Sequence, residues 1–229
     1  GGDLVSRYFV GITGASGHVY AQGLIRALVG AGHEVDVSIT EAGVKVLRHE
    51  LGVEAGARGE HLSDALPSWL GSTIAAHVRA FRSSAIEAPP SSGTALTGGA
   101  IVCPCSMGTL ARVSVGFSSN LVERAADVAL KERRTLVLVP REAPYSSLHL
   151  ENMLRLSRMG AVILPASPGF YHRPRSMEDL VEHVVGKILD TLRVEHSVGA
   201  RWKGLPRPDE DTGTLAPPPR DPLLEDDPQ

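Results

Sequence analysis

The sequence predicts a three-layer, doubly wound α/β domain built on a parallel sheet. Three observations carry that prediction. Five apolar runs of strand length alternate with longer stretches of helical periodicity. The runs at 100–104, 135–140 and 161–165 are almost continuously apolar, as strands covered on both faces are. Strands that alternate with helices imply parallel pairing through right-handed crossovers.

Taken in order, residues 8–13 read as the first strand and 34–40 as the second, followed by the three runs above. Helices are predicted over 16–29, 121–133, 147–159 and 176–192. In the last of these Met177, Leu180, Val181, Val184, Val185, Ile188 and Leu192 recur near every 3.6 residues. Residues 51–99 break the rhythm, being rich in Ala, Gly, Ser and Pro. One helix near 61–70 and a short extra strand at 77–81 are expected there. The Pro-Pro-Ser-Ser-Gly segment at 89–93 reads as a loop of the kind that often serves function. The last 29 positions hold seven prolines and seven acidic residues, a composition that cannot support a core. The expected organisation is therefore one domain over 1–200 and a Pro-rich acidic tail over 201–229.

Composition narrows the function classes. The 229 residues carry a net charge of -3 without a Lys/Arg block, which argues against nucleic acid as the main partner. No apolar run approaches the ~20 residues that cross a bilayer. No basic segment followed by an apolar stretch stands at the N-terminus, so a cytoplasmic setting is expected. Cys103 and Cys105, one residue apart, suit neither a disulfide framework nor a C-x2-C zinc site.

In open α/β sheets, ligands bind outside the carboxyl ends of the strands, so the residues after each strand matter most. After the first comes Gly11-Ile12-Thr13-Gly14-Ala15-Ser16-Gly17. Its glycines let the backbone approach a ligand, and the following helix offers free N–H groups to an anion. Plain packing explains such a turn equally well, and the spacing is not that of a dinucleotide fingerprint. Thr40 after the second strand is either a ligand contact or a helix N-cap. Cys105-Ser106-Met107-Gly108-Thr109 is a second hydroxyl-bearing turn, and two such turns on one sheet edge favour an anion site. Cys105 reads as a small buried thiol before it reads as a nucleophile. Arg141 and Glu142, set between prolines, offer an anion fork and a proton acceptor. The alternative is an ion pair of Glu142 with Lys131 or Arg124. Tyr171 is a ligand contact or a lid residue. His18 reads as an exposed helix histidine.

Together these segments resemble the UbiX-type flavin prenyltransferases. The resemblance rests on GITGASG at 11–17, CPCSMGTL at 103–110 and NLVERAADVALKERRTLVLVPREAP at 120–144. HLENMLRLSRMGAVILPASPGFYHRP at 149–174 and MEDLVEHVVGKIL at 177–189 complete it. It implies a flavodoxin-like or Rossmann-like sheet and a metal-independent transferase. Such an enzyme joins a dimethylallyl unit from dimethylallyl phosphate to N5 and C6 of reduced FMN, and passes prenylated FMN to a UbiD-type decarboxylase. Carried over by motif, Gly14, Ala15, Ser16, Thr40, Ser106, Met107, Gly108, Thr109 and Arg141 contact FMN. Arg124, Lys131, Tyr171 and Lys187 hold the prenyl phosphate, with Ser92 and Gly93 reaching it from an adjacent subunit. Glu142 is the expected base, directly or with Ser16 in a relay from the departing phosphate. Catalytic duty thus falls on Ser16, Glu142, Lys131 and Tyr171. A shared site implies a homo-oligomer, trimer-based and extending to a dodecamer.

Two positions depart from the family pattern. Ile86 stands where a Trp walls the prenyl site, and Lys187 where an Arg is usual. The rival readings are an FMN or prenyl-FMN carrier and a flavin-dependent decarboxylase of cysteine-containing peptides. The second is disfavoured because the chain lacks a PxMNxxMW-like segment.

Overall fold

The computed structural model describes residues 4–199. The tail expected over 201–229 lies outside the described residues.

Six parallel strands form one sheet in the order β3-β2-β1-β4-β5-β6. They are β1 (Arg7–Ile12), β2 (Glu34–Ile39), β3 (Val78–Arg82), β4 (Gly99–Cys105), β5 (Leu136–Pro140) and β6 (Val162–Ile163). The five expected strands are present, and the extra strand anticipated at 77–81 is β3, on the edge beside β2. Among the described residues eight α-helices accompany them: α1 (His18–Gly30), α2 (Glu41–Leu51), α3 (Leu62–Leu70), α4 (Ser72–Ala75), α5 (Met107–Ser114), α6 (Leu121–Lys131), α7 (Ser147–Arg158) and α8 (Met177–Thr191).

Strand alternation splits the core into two layers. Tyr8, Val10 and Ile12 face α1 and α8, packing with Leu24, Leu28, Val184 and Ile188. Phe9, Ala100 and Val102 face the other way, toward Leu110, Val122 and Leu156 of α5, α6 and α7. Helix α6 comes so close to β1 that a Cβ on Gly11 would meet Val122 at 2.6 Å. A buried carboxylate fixes three strands in register. Asp36 on β2 accepts from Arg7 at 2.9 Å and takes a two-pronged bond from Arg79, both prongs 2.9 Å. A buried charge is tolerable only with such partners.

The strand order reverses direction between β1 and β4, which opens a crevice at their carboxyl ends. The two small-residue turns singled out above border that crevice.

Candidate active site

Thr13 knits the two crevice turns together. Its buried hydroxyl donates to the Pro104 carbonyl at 2.7 Å and accepts from the Ser106 amide at 2.9 Å. Beyond it, Gly14 passes so close to α2 that a Cβ would stand 2.7 Å from that of Ala42. Gly17 takes φ +110° to start α1, a conformation that favours glycine. Ser106 caps α5 by accepting from the Thr109 amide at 3.2 Å, and its own hydroxyl donates to that of Thr109 at 3.0 Å. Met107 and Thr109 are buried, while Gly108 is exposed at the start of α5. Thr40 caps α2, accepting from the Gly43 amide at 3.1 Å.

The α1 turn carries a carboxylate that sequence reasoning missed. Glu50, in the last turn of α2, accepts from the Ser16 hydroxyl at 2.6 Å. It also accepts from the Gly17 and His18 amides at 2.9 and 3.1 Å. Partial burial would raise its pKa, but the three hydrogen bonds and the nearby His18 outweigh this and hold it below the ordinary glutamate range. An acid near a helix C-terminus opposes that helix's dipole, and here the N-terminus of α1 compensates.

One expectation needs correcting here. His18 is fully buried rather than exposed, because its ring tucks under the turn and bonds the Thr13 carbonyl through Nε2 at 2.7 Å. Burial lowers its pKa, against the pull of Thr13 and Glu50, and its Nδ1 has no partner among the described residues. The Ser16 hydroxyl is turned to Glu50, whereas the Glu142 carboxylate accepts from the Ala143 amide at 3.0 Å. Ser16 is therefore engaged by Glu50, and Glu142 by the amide that follows it. Cys105 is buried, its thiol pushed up to about 12 by desolvation, which leaves it unreactive.

A second cavity lies beside the loop that follows β6. It measures about 750 Å³, and Tyr171, His172, His183 and Lys187 line it. Among the described residues no cluster of His, Cys, Asp and Glu is suited to a metal ion, and no helix is long and apolar enough to cross a membrane.

Known proteins share this fold. The family profile described as Flavoprotein matches residues 4–189. A relative from Pseudomonas aeruginosa, the flavin prenyltransferase UbiX, is 49% identical over 196 residues, covering 86% of this chain and 93% of its own. The chain belongs to the UbiX flavin prenyltransferase family. Among solved structures, a dodecameric FMN-dependent UbiX-like decarboxylase from Escherichia coli O157:H7 superposes with a TM-score of 0.75 at 39% identity. It covers 86% of this chain and all of its own. AnUbiX (PadA1), in complex with FMN and dimethylallyl pyrophosphate, gives 0.76 at 37% identity, covering 88% and 99%.

Within the UbiX frame, the residues carried over by resemblance fall into three groups. Gly14, Ala15, Ser16, Thr40, Ser106–Thr109, Arg141 and Glu142 follow the carboxyl ends of β1, β2, β4 and β5, and Arg141 is exposed. Tyr171 and Lys187 share the second cavity. The remaining four lie elsewhere. Arg124 and Lys131 are exposed on the outer face of α6, where Arg124 pairs with Asp127 at 3.6 Å and Lys131 with Glu132 at 3.5 Å. The ion pair of Glu142 with Lys131 or Arg124, held open by the sequence, is not formed. Gly93 lies against the Glu132 side chain, and its carbonyl accepts from Arg134 at 3.3 Å. Ser92, Gly93 and Lys131 therefore sit near the start of β5, while Arg141 and Glu142 follow its end. Five residues of strand, about 16 Å, separate the two. One protomer does not bring these groups together.

Proposed function

We propose that the chain joins a dimethylallyl unit from dimethylallyl phosphate to N5 and C6 of reduced FMN. The allylic C–O bond breaks, inorganic phosphate leaves, and prenylated FMN is the product. The observation that carries this reading is the crevice itself. Two hydroxyl-bearing turns are tied by Thr13, with Glu50 on Ser16, in a chain 49% identical to a flavin prenyltransferase.

The residues fit a flavin. Gly14 lacks a Cβ where the turn is tightest, the first turn of α5 offers amides that no helix bond uses, and Arg141 is a free-standing cation at the same edge. In this proposal Gly14, Ala15, Ser16, Thr40, Ser106, Met107, Gly108, Thr109 and Arg141 hold FMN. Reduced FMN supplies the nucleophilic ring atoms. Tyr171 and Lys187 donate to the phosphate as it gathers charge, the interaction that lowers such a barrier most. Lysine offers a point charge where arginine would offer a fork, so the phosphate is gripped less directionally. Ile86 is half-exposed and supplies an apolar wall that excludes water without a π-face for a cation. Ser16 and Glu50 together accept the proton lost from the flavin ring, and Glu142 is a second carboxylate at the same edge.

Arg124, Lys131, Ser92 and Gly93 complete the phosphate site from a neighbouring subunit. Exposed apolar side chains support such an assembly: Leu148, Leu150 and Leu154 on α7, whose one buried residue is Leu156, with Val115 and Phe117 just after α5, the helix packed against α7. The product is a cofactor made for release, and a UbiD-type decarboxylase is its proposed recipient. Reduced flavin and two free buried thiols suit a reducing cytoplasm. The domain boundary near residue 200 and the separate acidic tail remain part of the same proposal.

The test is anaerobic incubation with reduced FMN and dimethylallyl phosphate, followed by mass spectrometry of the extracted flavin. A gain of one C5 unit is expected, with the diphosphate as a parallel arm. Flavin that is bound but unmodified in both arms would replace the transferase by a carrier.

A further inference from the structure

The loop between β6 and α8, residues 164–176, carries Tyr171 and is anchored at both ends and in its middle. At its start the Leu164 and Ala166 amides donate to the Leu138 and Pro140 carbonyls, at 2.9 and 3.0 Å. At its end the Arg175 amide donates to the Asp179 carboxylate at 2.8 Å. Between these anchors a bond reaches the middle: the Gly169 amide donates to Nδ1 of His183 on α8, at 2.9 Å. The His183 ring lies so near that a Cβ on Gly169 would come within 3.1 Å of it. On the same loop His172 stacks on His183, with ring centroids 4.9 Å apart and planes 14° from parallel. Lys187, one turn further along α8, lines the same cavity.

We propose that His183 is a positioning residue for prenyl transfer: its neutral ring fixes the Tyr171 loop against α8, and its protonation releases that loop. This rests on the reading that Tyr171 and Lys187 hold the prenyl phosphate. To accept from Gly169, Nδ1 needs its lone pair, so the ring's proton sits on Nε2. A second proton removes the acceptor and places a cation against the His172 ring and near Lys187. The groups around His183 are Tyr171 and His172 from the loop, Glu182, Lys187 and Asp190 from its own helix, and His196 from the segment after it. Asp190 is engaged by His196 at 2.7 Å. Burial foremost, then His172 and Lys187, holds His183 below the ordinary histidine value. The anchor is therefore complete above about pH 6.5 and weakens as pH falls below it.

The test compares the full-length, FMN-loaded protein with its His183→Phe and His183→Asn variants. Phe keeps a flat ring for the stack but has no acceptor, while Asn keeps an acceptor on a shorter side chain. Calorimetric Kd for dimethylallyl phosphate is measured between about pH 5.5 and 8, alongside KM and kcat. At neutral pH His183→Phe is expected to raise Kd and KM roughly tenfold, the worth of one part-buried hydrogen bond, with kcat within about twofold. His183→Asn recovers most of the affinity. Acid weakens binding in every form because the ligand phosphate itself titrates near ~6. The additional weakening, present in the native chain and absent from both variants, belongs to His183. Native affinity and pH dependence in His183→Phe, or native binding that tightens toward acid, would overturn the proposal. Equal FMN affinity across the three proteins certifies the fold. Failure of the native chain to bind dimethylallyl phosphate at all would instead remove the reading of the cavity on which the proposal stands.

Discussion

The two turns at the switch point and the groups assigned to the prenyl phosphate are built in opposite ways. The turns are complete within one chain. Thr13 is buried and bonded on both sides, Ser106 caps α5, and Glu50 ties down the start of α1. The phosphate groups are exposed and dispersed. Tyr171 rides on a loop, Lys187 is on α8, and Arg124 and Lys131 line the outer face of α6. On the proposed function, the difference means that the fold preorganises the turns assigned to the flavin and leaves the second site to be finished with material from outside the protomer. A rigid cofactor pocket needs fixed donors, whereas a site that must admit one phosphate and release another tolerates parts that arrive separately.

Substitutions that separate the two regions sharpen this contrast. The largest effect is expected from Glu50→Gln, which removes the acceptor behind Ser16. Its kcat for prenyl transfer should fall about 100-fold or more, with FMN affinity nearly unchanged by fluorescence titration. Next comes Thr13→Val, isosteric but without the hydroxyl that joins the turns. It should lower unfolding stability by about 2 kcal/mol in urea titration and weaken FMN binding together. Thr40→Ala, the loss of one helix cap, should lower stability by about 1 kcal/mol. The smallest effect concerns pH. Glu50 is held below the ordinary glutamate value, so its contribution is complete above about pH 4.3 and is lost as pH falls through its lower folded value. The difference in melting temperature between the native chain and Glu50→Gln should therefore shrink toward acid in pH-dependent thermal scans.

Much of the first region was legible in the sequence, and much of the second was not. Strands and principal helices announce themselves through apolar runs and the 3.6-residue stripe of α8, because burial on both sides of the sheet leaves no polar interruption. The turns after β1 and β4 are contiguous in sequence, so Gly14–Ser16 and Ser106–Thr109 can be recognised as units. Glu50 escaped because its partners lie more than 30 residues away, at the start of another helix. Its signal, an acid in the last turn of α2 where the dipole disfavours it, is weak beside the Arg48 and His49 that precede it. His18 was misread because helical periodicity says which face is buried but not that a turn folds over the first residue. The separation of Lys131 from Arg141 follows from the course of α6 and β5 and appears only once the topology is known.

The central claim is that one active site draws on two subunits. It is tested most directly by complementation between two inactive variants, Glu50→Gln and Lys131→Ala. Each alone should bind FMN and fail to prenylate it. Unfolded together and reassembled in equal amounts, they should recover roughly a quarter of native activity, the share that random assortment gives to sites completed by two different subunits. No recovery in mixed oligomers that form and bind FMN would contradict the account and return the whole site to a single chain.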